Sequence, residues 1–243
     1  MSGSQYIALS GLRARVDELD RIATDIANIG TSGYKGERQS RVAAERASFD
    51  ASLQTAIDTT LGDTRLDTRD GAVAPTGRPL DLAIDGPGFF VVQTAQGDRY
   101  TRNGHFTLDA DRRLVTEDGS LVKGTDGPIT LSATDGEINV DADGSVWTGV
   151  TKAGQIAVVE FADPGRMTRE QGTLLGAGNQ TPVAVATPVI QPGALEQSNV
   201  SVADRLAAMT SVSRGFEALQ KAMSLLMNDI DGKAIEQLGR RSG

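Results

Sequence analysis

Leu80-Asp-Leu-Ala-Ile-Asp-Gly-Pro-Gly-Phe-Phe-Val-Val92 decides how the middle of the chain is read. Two β-prone runs, Leu80–Ile84 and Phe89–Gln93, flank Asp85-Gly86. Asp-Gly and Asn-Gly supply the positive φ angles of tight turns, so this is strand, turn, strand. The pattern repeats at Asn103-Gly104, Asp118-Gly119, Asp126-Gly127, Asp135-Gly136 and Asp143-Gly144. Further β-prone runs are Ile129–Leu131, Ile138–Val140, Val146–Thr148 and Ile156–Phe161. Residues 78–190 therefore predict a twisted all-β domain joined largely by hairpins.

The two ends read differently. Between residues 5 and 29, Leu9, Leu12, Val16, Leu19, Ala23 and Ile26 step by three and four, with charges off that stripe. No Pro or Gly interrupts from Leu12 to Ile29, and Gly30 with Thr31-Ser32-Gly33 stops the helix. Near the C-terminus, Val202, Met209, Phe216, Met223 and Ile230 are spaced by seven. Val212, Leu219 and Leu226 form a second such series three residues later. That is an a/d seam, and it predicts a coiled-coil helix over about 201–231, capped by Ser198 or Ser201 and ending near Gly232.

The expected fold class is α+β: long N- and C-terminal helices forming a coiled-coil-like axial domain, with an all-β middle domain. The expected divisions are an N-terminal helix at 1–30, a linker or extended segment at 31–77 and the β-rich domain at 78–190. A return linker at 191–200 and a C-terminal helix at 201–243 complete the chain. The expected assembly interface is the seam itself: Leu9, Leu12, Val16, Leu19, Ile26, Val202, Met209, Val212, Phe216, Leu219, Met223, Leu226 and Ile230.

Composition narrows the function. The 243 residues contain no Cys, which removes disulfides, Fe–S clusters, Cys-zinc sites and thiol nucleophiles. One His, His105, removes any multi-His metal site. A net charge of -8 argues against a nucleic-acid partner, which needs a basic face. Residues 75–190 hold nine Lys/Arg against fifteen Asp/Glu, so the β-rich part carries most of the negative field and is expected to face solvent. No apolar run approaches the roughly 20 residues that span a bilayer, and no cleavable signal peptide is visible.

Catalytic motifs are absent. Gly86-Pro-Gly88 lacks the third Gly and the helix of a dinucleotide loop. Asp141-Ala-Asp143-Gly144 and Asp109-Ala-Asp111 resemble pieces of a calcium loop but lack its remaining ligands, and turns account for both. His105, next to an Asn-Gly turn, reads as a polar strand residue. No cofactor, metal or catalytic residue is expected.

Five blocks, in order, resemble the bacterial flagellar rod and hook proteins. They are Asp25–Lys35, Pro79–Val92, Tyr100–Asp109 continuing in Leu114–Gly119, Gly193–Val202 and Phe216–Lys221. The signature after the first helix departs mildly, with Thr24-Asp25 and Gly30-Thr31 where the family has other pairs. Within the family, the length and the short 36–78 segment are most similar to the proximal rod member, with the distal rod member as the alternative. The resemblance implies a structural subunit that assembles axially and transmits torque across the periplasm. It implies as partners other copies of the chain, neighbouring proximal and distal rod proteins and the flagellar type III export apparatus. It implies neither membrane insertion nor nucleic-acid binding. Two other classes stay open on the residues: a secreted adhesin with a β head and coiled-coil stalk, and an acidic periplasmic hydrolase.

Overall fold

The computed structural model describes residues 3–39, 64–132 and 136–239. The chain divides into two compact units. One comprises Met1–Ile26, Gln39–Thr64 and Ser201–Gly243, the other Ala27–Arg38 and Arg65–Val200.

The first unit holds the helices Gly3–Ala27 and Val202–Gly239. Ser201 starts the second of these, its Oγ accepting the Asp204 backbone N–H at 3.3 Å. The helix does not stop near Gly232 but continues to Gly239. A single Gly costs only about 1 kcal/mol against Ala, and the flanking Ala, Glu and Leu residues are good helix formers.

The fold class needs correction. Among the described residues there are two α-helices against nineteen strands, so the chain is mainly β. The terminal segments do not form the expected coiled-coil-like axial domain. A coiled coil buries its a and d positions, yet Val202 and Met209 are 49% and 40% exposed, and Val16 is 42% exposed. What this unit does bury includes Ile22, Val212 and the carboxylate of Asp25, which Arg205 meets at 3.0 Å. Seven-residue spacing reports a period; it does not report whether anything covers the stripe.

The second unit is antiparallel β. Its largest sheet runs in the order Thr168–Gln171, Leu174–Gly176, Gly97–Thr101, Phe89–Thr94, Leu121–Gly124, Leu114–Thr116 and Phe106–Leu108. Phe89–Thr94 is central to it. One edge pairs with Gly97–Thr101, and the other pairs with Leu121–Gly124 at one end and Val158–Glu160 at the opposite end.

The run Phe89-Phe90-Val91-Val92 is apolar at every position because both faces are covered. Phe90 and Val92 enter the larger core with Leu82, Phe106, Leu114, Val122, Val146 and Ile156. Phe89 and Val91 point into a second cluster with Tyr100, Phe161, Met167 and Leu175. Edge-to-face rings fix both clusters: Phe90 on Phe106 at 5.2 Å, and Tyr100 on Phe161 at 4.7 Å.

A three-stranded meander, Ile138–Val140, Ser145–Thr148 and Thr151–Gln155, adds Val140 and Val146 to the larger core. Ile129–Leu131 is not a strand, although Ile129 and Leu131 are buried. Of the six turn dipeptides, Gly86, Gly119, Gly127 and Gly144 have φ of +100°, +84°, +130° and +83°. Gly104 serves a different need: a Cβ there would lie 1.8 Å from the Leu82 carbonyl oxygen.

The connecting stretches on either side of the β-rich region pair with one another. Val73–Pro75 forms a ladder with Ala194–Glu196, and Leu82–Ile84 forms one with Ile190–Pro192. The end of the unit is thereby zipped onto its beginning.

Candidate functional site

Charged residues rarely enter an interior unless they are paired. In the second unit three do so together. The side chains of Lys35, Glu196 and Arg102 are 2%, 2% and 4% exposed. Lys35 comes from the turn after the N-terminal helix, Arg102 from the end of strand Gly97–Thr101, and Glu196 from the last strand.

The Lys35 ammonium donates to Glu196 Oε1 at 2.5 Å and to the Arg69 carbonyl at 2.7 Å. Glu196 Oε1 also accepts the Gly71 N–H at 2.8 Å, and Oε2 accepts from Arg102 Nη1 at 3.3 Å. Arg102 Nη2 reaches the Gly86 carbonyl at 2.7 Å, and the guanidinium lies over the Phe89 ring at 5.5 Å. Asp70, itself 63% exposed, stands 3.4 Å from Arg102 and 4.0 Å from Lys35. Burial pushes the Lys35 ammonium below its ordinary value of 10.5; the Glu196 carboxylate opposes that shift and the Arg102 charge adds to it.

Backbone contacts lock the same place. The Gly33 N–H donates to the Glu196 carbonyl at 2.7 Å, and the Asn199 N–H to the Tyr34 carbonyl at 3.3 Å. Asn199 Oδ1 accepts the Gly36 N–H at 2.8 Å, while Nδ2 donates to the carbonyls of Asp67 and Arg69. Arg169 stacks on Tyr34 at 4.1 Å, donates to the Lys35 carbonyl and pairs with Glu37.

Next to it, buried Asp67 is held by Arg69 at 2.7 Å and Arg38 at 3.0 Å. Burial raises the Asp67 carboxyl, but hydrogen bonds from the Arg69 side chain and backbone, with the Arg38 charge, outweigh that and leave it below 3.8.

This junction was not among the residues expected to carry function. Its members lie inside quoted family blocks, Lys35 in Asp25–Lys35, Arg102 in Tyr100–Asp109 and Glu196 in Gly193–Val202. Within those blocks each is one charge among other polar residues, and nothing local marks it for burial.

The expected interface residues are scattered in exposure. Val16, Val202 and Met209 are exposed, Leu12, Leu19, Ile26, Phe216 and Leu219 are half-buried, and Val212 is buried at 5%. The side chains of Leu9, Met223, Leu226 and Ile230 lie outside the described residues. Leu206, which the heptad reading passed over, is 51% exposed and joins Val202 and Met209 on one helical face.

His105 is tied into the fold: Nδ1 lies 2.8 Å from Asp81 Oδ1, and Nε2 lies 3.4 Å from Arg78 Nη1. The paired aspartates act as turn acceptors. Asp109 Oδ1 takes the backbone N–H groups of Asp111 and Arg113, and Asp143 Oδ1 takes that of Ser145. Asp141 Oδ2 takes the Trp147 indole N–H at 2.7 Å.

Residues 83–148 match the family model described as the flagellar hook protein FlgE/F/G D1 domain, and residues 191–231 match the flagellar basal body rod FlgEFG protein C-terminal model. The chain is 32% identical to the flagellar basal-body rod protein FlgF of Caulobacter vibrioides, covering 99% of each chain. It is 33% identical to FlgF of Rhizobium meliloti, over 98% of this chain and 99% of the relative. A flagellar basal-body rod protein FlgG, that of Bacillus subtilis, is 34% identical over 92% of this chain and 95% of the relative. Relatives of the first name thus align essentially end to end. The chain belongs to the flagellar basal-body rod protein family, is most like FlgF, and is a structural component of the basal body.

Proposed function

We propose that this rod protein is delivered by the flagellar export apparatus, stacks in the periplasm against copies of itself and neighbouring rod proteins, and transmits torque along the rod. End-to-end alignment with relatives named for the rod supports the role. The observation that carries the stacking is the apolar face of the C-terminal helix. Val202, Leu206 and Met209 sit at i, i+4 and i+7, exposed by 49%, 51% and 40%. Such a stripe gains from burial against a neighbour, at roughly 1.5–3 kcal/mol for each large side chain fully covered. Val16, 42% exposed on the other helix, is a further apolar side chain open to a neighbour.

The test is to delete the chain's gene and image purified basal bodies. The expected result is a rod that ends close to its membrane-proximal base. A rod of normal length would overturn the proposal, and one that stops near its distal end would assign the chain to the FlgG position instead.

A further inference from the structure

At the buried junction, two cations converge on one carboxylate. Lys35 and Arg102 are 2% and 4% exposed, and both contact Glu196. Asp70 approaches them but is 63% exposed, so water screens its charge. Lys35 and Arg102 come early in the chain, whereas Glu196 lies 161 residues after Lys35. Until Glu196 arrives, closing this part of the unit buries two like charges that repel each other.

The segment that carries Glu196 also completes the backbone pairing of the early strands. It pairs with Val73–Pro75, and just before it Ile190–Pro192 pairs with Leu82–Ile84. The Gly193 carbonyl accepts the N–H groups of Thr76 and Gly77, and the Ala72 carbonyl accepts that of Gln197.

We infer that Lys35, Arg102 and Glu196 form a completion clasp, which fastens the beginning of the β unit to its end only once the chain has been supplied through Glu196. The clasp is a property of the fold and holds whichever route delivers the chain. A chain supplied from its N-terminus therefore stays unfastened over most of its length and closes late.

The charge arithmetic gives the clasp a signature that simple loss of a contact does not share. Glu196→Gln leaves two buried cations without their carboxylate. Lys35→Met leaves Arg102 and Glu196 paired one to one. The experiment uses the full chain, unfolded and refolded in urea, with the fluorescence of its one tryptophan, Trp147, as the probe. Glu196→Gln is expected to speed unfolding at least tenfold while changing the refolding rate less than twofold, which marks a contact that forms after the rate-limiting step. Lys35→Met is expected to speed unfolding by a clearly smaller factor.

Failure of Glu196→Gln to fold while Lys35→Met folds also supports the clasp. It is overturned by refolding that slows as much as unfolding accelerates, because the contact would then belong to the nucleus. It is overturned equally by a Lys35→Met effect as large as that of Glu196→Gln, including failure of both to fold.

Discussion

Gly33 packs against Asn103 so closely that a Cβ on the glycine would stand 2.1 Å from the Asn103 backbone nitrogen. Its φ of +67° is one that residues with a Cβ rarely adopt. The turn that follows the N-terminal helix is thereby set directly onto the end of strand Gly97–Thr101. Two residues on, Lys35 reaches Glu196 from that fixed position.

Gly33→Ala combines strained backbone with a clash against main-chain atoms that cannot rotate away. It should destabilise the chain by about 3 kcal/mol or more. Urea unfolding followed through Trp147 measures this, and a shift within about 0.5 kcal/mol, typical of an innocuous surface change, contradicts it. Gly77→Ala is a useful comparison, since its φ of +75° is also strained but no atom lies within 4 Å of its Cβ.

Phe90 and Phe106 are both 0% exposed and meet edge to face. Phe106→Ala should cost about 3–5 kcal/mol. Because the residue sits in the larger core, the loss should appear as a lower urea midpoint with the slope unchanged. A midpoint equal to that of the parent chain would show the site to be less closed than the geometry indicates.

Asp67 makes stability depend on acid. Its carboxyl titrates lower when folded than its ordinary 3.8, because the Arg69 hydrogen bonds and the Arg38 charge outweigh burial. The unfolded chain therefore takes up this proton first as pH falls. The contribution is fully present above about pH 4 and disappears as pH drops through the folded-state value. Asp67→Asn should lower the melting temperature by several degrees at pH 7, and the gap from the parent should narrow steadily below pH 4. Calorimetry at pH 7, 4 and 3 decides it; a gap that stays constant rules out the linkage.

Leu206→Asp should leave the monomer intact and abolish assembly. The residue is 51% exposed, so folding stability should change by no more than about 0.5 kcal/mol, whereas a charge enclosed in an apolar subunit contact is costly. Val212→Asp, at a site only 5% exposed, should destabilise the fold itself. Motility and basal-body imaging report assembly, and thermal unfolding reports folding. Normal swimming with Leu206→Asp would remove this face from the interface.

Local chemistry made much of the β unit legible. Phe89–Val92 announces a strand covered on both sides, because four consecutive apolar residues leave no face for water. The Asp-Gly pairs announce their turns, and four of the six glycines take the positive φ that such turns need. Gly104 shows the limit. Its neighbour is the Leu82 carbonyl, 22 residues away in sequence, and no local pattern reports a close approach of that kind. The coiled coil failed for a related reason. Spacing by seven describes Val202 and Met209 correctly as one face, but only the fold reveals that the face is uncovered. The buried junction was hidden more completely, since Lys35, Arg102 and Glu196 look like ordinary surface charges until the fold brings them together.

The contacts that join Gly33 to Glu196 and Tyr34 to Asn199 place the unit's entry and exit side by side. A pull applied between residue 30 and residue 200 is then borne by those backbone bonds and by the ladder from Val73–Pro75 to Ala194–Glu196. Mechanically, the β unit behaves as a loop closed at its neck: a pull on its two ends meets the bonds between them before it can draw the unit apart.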